Sequence, residues 1–201
     1  MATHNIVLSL DADEALSKQL QESILKVKHN WQGSAYKFNR KTNYCGQWIN
    51  HCGWYPDTKI RLWDGTIGKW GGYNPHDKVE LNNEVVPNWL EGDLEHYSFY
   101  TVDEHKEKVE RYSSIKAKAV WERGKKSNLL LILFAPIFKF FWSYFVRLGV
   151  LDGKNGFTIC WLSAKESLKT YRKIYSPQKQ KNRPNWSVLK KKKKCVCYFI
   201  L

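Results

Sequence analysis

Two acidic residues, Asp11 and Asp13, directly follow a short apolar run over residues 5–10. Carboxylates at this spacing can both reach one hard cation, such as Mg²⁺ or Mn²⁺, and a cation of this kind can neutralise a diphosphate. Short acidic side chains are also common as helix caps and as solubilising loop residues. The spacing alone leaves both interpretations open, and the neighbouring elements decide how the two carboxylates are held.

The elements around the acidic pair are predicted from their apolar spacing. The run 5–10 is short and nearly continuous, which is typical of a β-strand covered on both faces in a parallel sheet. Beyond the pair, Leu16, Leu20, Ile24 and Val27 recur at helical spacing and predict an amphipathic helix. The pattern therefore places the acidic residues at the carboxyl end of a strand, shortly before a helix.

The charge of the chain is concentrated in its second half. The 201 residues contain 33 Lys and Arg against 19 Asp and Glu, and residues 101–201 carry a net charge of +16 while residues 1–100 carry −2. The hydrophobic content of 43% is enough for a sizeable core and excludes a wholly disordered or collagen-like chain. The five cysteines are odd in number and lack framework spacing, and the N-terminus lacks a signal-peptide pattern, so we expect a reducing, cytoplasmic compartment.

Residues 31–100 are rich in Gly, Asn, Trp and Tyr and predict a few short strands joined by long loops. Aromatic residues in such loops, including Trp54 and Trp70, can stack on sugar rings, although ordinary burial in a core is an equally good interpretation. Cys45 and Cys52 with His51 lack the tight ligand-pair spacing of a zinc site.

The second half predicts helices and contact with a membrane. Thr101 and Glu104 fit a capping box at the start of a helix that ends near residue 123. The apolar run 129–146 is near the length needed to span a bilayer, but we expect it to lie on the surface as part of an amphipathic hairpin with a helix over 157–175. We expect a surface location because Pro136 breaks or bends the first turns, because Lys139, Ser143 and Arg147 form one narrow polar stripe, and because basic residues lie on both sides of the run.

Basic residues on the polar faces of this hairpin predict binding to an anionic membrane surface. We therefore divide the chain into a core over 1–100, a helical membrane-associating region over 101–175, and a basic low-complexity tail over 176–201. The expected location is peripheral, on the inner face of the cytoplasmic membrane. A nucleic-acid binder is a less favoured alternative, because the basic residues accompany an apolar segment and no nucleic-acid motif is present.

Several ordered motifs together give the chain a resemblance to glycosyltransferase family 2, in its subgroup of lipopolysaccharide-core and cell-envelope sugar transferases. The stretch 8–17 (LSLDADEALS) resembles the metal and nucleotide-sugar motif of that family. The resemblance covers about residues 5–175. The further motifs are 39–44 (NRKTNY), 46–51 (GQWINH), 53–57 (GWYPD), 61–63 (RLW), 75–79 (PHDKV), 92–97 (GDLEHY) and 151–153 (LDG).

The resemblance implies an α/β protein with a Rossmann-like, GT-A type nucleotide-diphospho-sugar transferase fold, of which residues 1–100 form the C-terminal half. It also implies an inverting, metal-dependent transfer from a nucleotide-sugar donor to a lipopolysaccharide-core or other envelope glycan on a glycolipid acceptor. The implied cofactor is a divalent metal, Mn²⁺ or Mg²⁺.

The site residues follow from the same resemblance. Asp13 is the implied metal ligand, and Asp11 contacts the nucleotide ribose or reaches the metal through water. Arg61 steadies phosphate or an acceptor oxygen. Asp77 is the expected general base, because inversion needs a carboxylate on the face of the sugar opposite the leaving diphosphate.

The remaining candidates keep two interpretations each. His76, Trp54 and Trp70 are candidate acceptor contacts, and His96 is a candidate metal ligand. Both histidines can equally be hydrogen-bonded packing residues, and Asp77 can serve to cap or solubilise a turn.

The front of the chain departs from the family pattern. Family members place a strand-helix-strand-helix unit, which holds the nucleotide base, before the acidic motif, whereas here that motif begins at residue 11. We expect a truncated product, a fragment of a longer reading frame, or a second chain that supplies this half. The alternative function is thus a non-catalytic remnant that keeps acceptor or membrane binding.

Overall fold

The computed structural model describes residues 5–32, 35–71, 78–82, 84–180 and 196–200. Two compact units are present: the first contains the described residues within 1–43, 54–98 and 193–201, and the second those within 44–53 and 99–192. Strands dominate the first unit and helices the second, so the chain has a mixed α/β structure.

The strands are β1 (Ile6–Asp11), β2 (Glu14–Leu16), β3 (Ala35–Tyr44), β4 (Gln47–Trp48), β5 (Asp57–Asp64), β6 (Gly68–Gly71), β7 (Lys78–Leu81), β8 (Asn88–Phe99) and β9 (Val196–Ile200). The helices are α1 (Lys18–His29), α2 (Val102–Glu122), α3 (Leu129–Phe141) and α4 (Gly153–Gln180). A π-helical turn, Trp142–Val146, continues α3, and a 3₁₀ turn, Gly149–Asp152, precedes α4.

The sheet of the first unit has the strand order β2-β8-β3-β5-β1-β9. One face packs on α1 through a core that includes Leu8, Leu20 and Phe38. Val7 and Trp63 belong to a separate core cluster. Because successive side chains of a strand point to opposite faces, β1 is buried on both faces, as its continuous apolar run predicts.

The direction of β1 differs from the prediction. β1 pairs antiparallel with both β5 and β9, with Leu8 opposite Leu62, whereas the sequence suggested a strand of a parallel sheet. A continuous apolar run indicates that a strand is buried on both faces. Whether the strand is parallel or antiparallel to its neighbours depends on the connections between strands, which the run does not show.

The segment after β1 is a tight turn followed by the short strand β2, and α1 begins only after it. Ser17 caps α1, since its side chain accepts a hydrogen bond from the amide of Leu20 at 3.3 Å. β2 pairs antiparallel with β8 and places Glu14 opposite His96. The helix is confirmed, and Asp11 ends β1 as predicted. Asp13 lies in the turn between β1 and β2, so the short strand β2 separates it from the helix.

In the second unit, α2 begins where the capping box predicts. The Thr101 hydroxyl accepts a hydrogen bond from the amide of Glu104 at 3.2 Å, and the Glu104 carboxylate accepts one from the amide of Tyr100 at 2.9 Å. α2 is joined to α4 by the Glu110 carboxylate, which accepts hydrogen bonds from Lys169 and Lys173. These two bonds lower the pKa of the Glu110 carboxyl.

The apolar run 129–146 is helical, continues through Pro136, and by length and composition is able to cross a membrane. Its predicted polar stripe is wrong in one member. Lys139 and Arg147 are exposed, but Ser143 is buried, because its backbone lies close to Gly149 of the following turn.

Candidate functional site

Asp11 is held at the end of β1 by a buried arginine. Arg61, which is 4% exposed, extends from β5, and its Nη2 donates to Asp11 Oδ2 at 3.0 Å and to Glu14 Oε1 at 2.7 Å. The other carboxylate oxygen of Glu14 accepts a hydrogen bond from the amide of Asp11 at 2.9 Å. The backbone and the side chain of Asp11 are therefore fixed by two different neighbours.

A second arginine extends this network. Arg40 Nη1 lies 3.3 Å from Glu14 Oε1, and its Nε and Nη2 both donate to Asp57 Oδ2, at 3.0 and 2.7 Å. Lys59 Nζ lies 2.7 Å from Asp57 Oδ1. The Glu14 side chain is fully buried and forms ion pairs with both arginines. Arg40 in turn pairs with the partly exposed Asp57, so charges of opposite sign alternate from the buried end of the network to its surface.

Asp13 is placed beside His96, although 82 residues lie between them in the chain. His96 Nε2 lies 3.2 Å from Asp13 Oδ2, and the amide of Tyr97 donates to the carbonyl of Asp13 at 2.8 Å. The Asp13 side chain is 45% exposed, whereas that of His96 is 13% exposed. The pairing of β2 with β8 thus brings two of the sequence-predicted metal ligands together, with the carboxylate open to solvent.

Trp70 packs against Arg61 in the same unit. The Arg61 guanidinium carbon lies 5.4 Å from the centre of the Trp70 ring, and Trp70 meets Trp63 edge to face at 6.0 Å. Arg61 Nε and Nη1 are buried and have no hydrogen-bond partner among the described residues. The geometry shows a cation–π contact for Trp70, and it shows Arg61 engaged with Asp11 and Glu14.

Asp11, Asp13 and His96 are the candidate ligands of a divalent metal in the first unit. Ligand atoms on adjacent positions of an octahedral Mg²⁺ site lie about 3 Å apart, and such sites use one or two carboxylates together with substrate phosphates. The partly exposed Asp13 carboxylate fits this pattern, the His96 imidazole is a ligand type that suits Zn²⁺ better than Mg²⁺ or Mn²⁺, and Asp11 is already ion-paired with Arg61. Within the described part of the chain, no group of three or more His, Cys, Asp and Glu side chains is placed to hold a metal.

Two predicted site residues, His76 and Asp77, lie outside the described residues. Trp54 is half-buried in the turn before β5. The structure therefore groups Asp11 with Arg61 and Asp13 with His96, and it gives no position for the expected general base.

Sequence reasoning missed Glu14, Arg40 and Asp57 as members of this network. Glu14 is part of the acidic motif, but its sequence position gives no indication that its carboxylate points inward toward two arginines. One signal in the sequence could have indicated that Glu14 points inward. Side chains i and i+2 of a strand share a face, and Leu16, two residues after Glu14 in β2, packs against the core.

A separate cluster in the second unit surrounds Asp152, which is 3% exposed. Its carboxylate accepts hydrogen bonds from the amides of Asn50 (3.2 Å) and His51 (2.9 Å) and lies 3.0 Å from His51 Nδ1. The Cys52 thiol donates to it at 3.6 Å. A hydrogen bond with Cys160, together with burial, raises the pKa of Cys52, so this thiol stays protonated near neutral pH. The cluster fixes the loop over 44–53, and within it Cys52 is a thiol and not a thiolate.

The chain is similar to three rickettsial proteins that are each named uncharacterized glycosyltransferase. Those of Rickettsia prowazekii and Rickettsia typhi are each 29% identical over 171 residues, which cover 78% of this chain and 57% of the relative. That of Rickettsia felis is 26% identical, with 78% and 59% covered. The chain thus spans less than two thirds of the length of these curated relatives. No protein-family model and no solved structure matches it.

Proposed function

We propose that this chain takes part in glycosyl transfer, moving a sugar from a nucleotide-diphosphate donor to a hydroxyl of a lipopolysaccharide-core or other envelope glycan, with inversion. The observation that carries the proposal is the half-exposed Asp13 carboxylate beside His96, next to an Asp11 fixed by Arg61. The similarity to relatives named as glycosyltransferases supports glycosyl transfer in general. The family 2 assignment, the envelope acceptor and a GT-A type core rest on the sequence motifs, with which a mixed α/β sheet is compatible.

Asp13 and His96 would hold the divalent metal, Mn²⁺ or Mg²⁺, with Asp11 behind them. When bound there, the metal would stabilise the negative charge of the departing diphosphate. Arg61 and Glu14 keep the Asp11 carboxylate and amide in place, so the turn that carries Asp13 is fixed before any ligand arrives. Such preorganisation lowers the cost of ordering the site during the reaction.

In the proposed reaction, the acceptor hydroxyl loses its proton to Asp77 as its oxygen bonds to the anomeric carbon. The bond from that carbon to the diphosphate breaks in the same step, which inverts the configuration. His76, Trp54 and Trp70 are the proposed acceptor contacts. The proposed acceptor is a glycolipid, and the proposed location of the protein is peripheral, on the inner face of the cytoplasmic membrane.

The alternative function is a non-catalytic remnant of such an enzyme. Under this alternative the chain retains acceptor or membrane binding without donor turnover.

The test uses the full chain and the variant Asp13→Asn, with Asp103→Asn as a matched control, since the Asp103 side chain is 82% exposed at the start of α2. Mn²⁺ binding is followed by electron paramagnetic resonance, and donor binding by isothermal titration with a panel of nucleotide-sugars. The proposal expects metal-dependent donor binding that Asp13→Asn weakens at least about tenfold and that Asp103→Asn leaves unchanged.

Transfer is then measured with soluble glycan acceptors. Metal-dependent turnover supports the enzyme. Absence of donor binding, with acceptor or membrane binding retained, supports the remnant and overturns the catalytic proposal, whereas donor binding at micromolar levels argues against the remnant. Equal metal binding by the wild type and Asp13→Asn overturns the assignment of the site.

A further inference from the structure

The second unit presents a large apolar surface to its surroundings. Sixteen of the twenty exposed large hydrophobic side chains among the described residues fall between residues 129 and 161, and each is 37% to 66% exposed. We call these sixteen residues the apolar face. They are Leu129, Leu130, Leu131, Leu133, Phe134, Ile137, Phe138, Phe141, Trp142, Phe145, Val146, Leu148, Val150, Leu151, Phe157 and Trp161.

The helices that carry the apolar face expose apolar side chains to an extent that is unusual for a helix in contact with water. Two polar residues of this stretch lie inside, with Ser143 4% exposed and Asp152 3% exposed, while sixteen aromatic and aliphatic residues lie outside. A helix that meets water buries its apolar stripe and exposes its polar one. The medium that covers the apolar face is therefore itself apolar.

The charges around the apolar face indicate which apolar medium this is. Residues 123–165 contain seven Lys or Arg and one acidic residue, Asp152, which is buried and already hydrogen-bonded. Basic side chains lie both beside the apolar face and within it. Six of them are exposed: Lys125, Lys126, Lys139, Arg147, Lys154 and Lys165. Basic side chains around an apolar surface are complementary in charge to the headgroups of an anionic bilayer, with which each Lys or Arg interacts favourably.

The packing of α4 along α3 decides whether the segment crosses the bilayer. Phe140, in the second half of α3, makes ring contacts with both Phe157 and Trp161 of α4. One turn beyond Trp161, Lys165 lies over the Trp161 ring at 5.2 Å. Because α4 packs along α3, the charged part of α4 begins about one turn beyond the contact with Phe140, near the end of α3.

α4 continues from there as a charged helix bound to α2. Lys116 of α2 lies 2.6 Å from Glu166, and Glu110 of α2 accepts from Lys169 and Lys173. If α3 crossed the bilayer, these ion pairs would be drawn toward the hydrocarbon core, where charged side chains are costly. An orientation in the plane of the interface keeps the ion pairs in water and still buries the apolar face.

We propose that α3, the π-helical turn after it and the start of α4 form a monotopic anchor that lies in the plane of an anionic bilayer, with the apolar face at the boundary between headgroups and acyl chains. The inference deepens the membrane association in the proposed function and stands independently of catalysis. The anchor would hold the chain on the same surface as a glycolipid acceptor.

Binding is tested by flotation of the full chain with phosphatidylcholine vesicles that contain or lack phosphatidylglycerol. We expect flotation with the anionic vesicles and a loss of at least about tenfold in partitioning for Leu133→Glu and for Phe138→Glu, because each puts a charge where the bilayer would cover an exposed apolar side chain. Tyr100→Glu is the matched control, since Tyr100 is 71% exposed but lies outside the apolar face. Equal flotation with both vesicle types, equal loss in the control, or a soluble dimer that Phe138→Glu dissociates overturns the proposal.

Orientation is tested with nitroxide labels at Leu130→Cys, Phe138→Cys and Phe145→Cys, in a chain in which Cys45, Cys195 and Cys197 are serine. An in-plane anchor places all three labels at similar depths of about 5–10 Å. A spanning helix places the middle label more than about 10 Å deeper than the outer two, because each residue rises 1.5 Å, and this result overturns the proposal. A chain that floats but binds no nucleotide-sugar overturns the proposed function and leaves the anchor intact.

Discussion

Arg61 and Glu14 form a buried ion pair in which Arg61 Nη2 lies 2.7 Å from Glu14 Oε1, and both side chains are at most 5% exposed. The same Glu14 oxygen lies 3.3 Å from Arg40. Glu14→Gln removes the negative charge that two guanidinium groups share, and a broken buried pair costs about 3–5 kcal/mol. We expect the free energy of unfolding to fall by about 3 kcal/mol in urea denaturation.

A double-mutant cycle separates this pair from general damage to the core. Arg61→Met with Glu14→Gln removes both charges, so the combined loss of stability is expected to be smaller than the sum of the two single losses. Additive losses would contradict the pairing. Lys106→Met provides a control, because Lys106 is exposed and pairs only with the exposed Asp103 among the ion pairs described.

Gly92 allows β8 to pass against the start of α1. Its φ is +98°, and a Cβ atom there would lie 2.4 Å from the amide nitrogen of Leu20 and 2.7 Å from its Cα. Gly92→Ala therefore forces backbone apart, and we expect a loss of at least about 3 kcal/mol in unfolding free energy.

The matched control is Gly124→Ala, because Gly124 also has a positive φ, of +71°, but nothing lies within 4 Å of its Cβ position. Its cost should be only the conformational term of about 1–2 kcal/mol. Equal losses for the two variants, measured by urea denaturation, would show that the contact with Leu20 is not what requires glycine.

Local features of the fold were predictable from the sequence, and long-range pairing was not. The start of α2 follows from Thr101 and Glu104, which lie within one turn of each other, and the prediction is confirmed. The direction of β1 is wrong because it depends on strands far along the chain. Ser143 is misplaced for the same reason, since its burial depends on the turn at Gly149.

The candidate site shows the same division. The acidic pair and Arg61 were identified from the motif, yet the bond from Arg61 to Asp11 joins residues 50 positions apart and required the β1–β5 pairing. Glu14 stood next to Asp13 in the motif, but its role depends on two arginines that only the sheet brings near. The metal and the general base stay predictions.

His105 makes the stability of the second unit depend on pH. It is 5% exposed, its Nδ1 lies 3.1 Å from the Tyr44 hydroxyl, and its ring lies 4.6 Å from that of Phe99. Burial, helped by the nearby Lys108, lowers the pKa of His105 from 6.5 to about 4. The unfolded chain thus binds a proton that the folded chain excludes between these values, so stability falls as the pH falls from 6.5 and the loss is complete below about 4.

The shift corresponds to about 3 kcal/mol at its full extent. The measurement is urea denaturation of the wild type and of His105→Gln from about pH 7 to about pH 4.5. The stability difference between them should shrink as the pH falls, because only the wild type loses the contribution of a neutral His105. A difference that is constant with pH would show that His105 does not titrate in this range.

The Asp152 carboxylate holds the loop over 44–53 through two backbone amides, the His51 ring and the Cys52 thiol. It accepts from the amides of Asn50 and His51 and lies 3.0 Å from His51 Nδ1, and its own side chain is 3% exposed. Asp152→Ala leaves both amides without this acceptor, and a buried unsatisfied group costs about 1–3 kcal/mol. Since the loop ends are held by other contacts, including the hydrogen bond from the Cys52 amide to the carbonyl of Arg147, we expect the loop to open locally before the unit unfolds.

Hydrogen exchange measured by mass spectrometry checks this expectation. Exchange in a peptide covering residues 44–53 should become faster in Asp152→Ala than in the wild type, while exchange in α2 stays unchanged. Asp103→Ala is the control, because its carboxylate is exposed and touches no amide of this loop. If the 44–53 peptide exchanges at the same rate in both variants, Asp152 is not the anchor of the loop. If α2 and the loop exchange faster together, Asp152 instead supports the whole helical unit, because the opening would then be global.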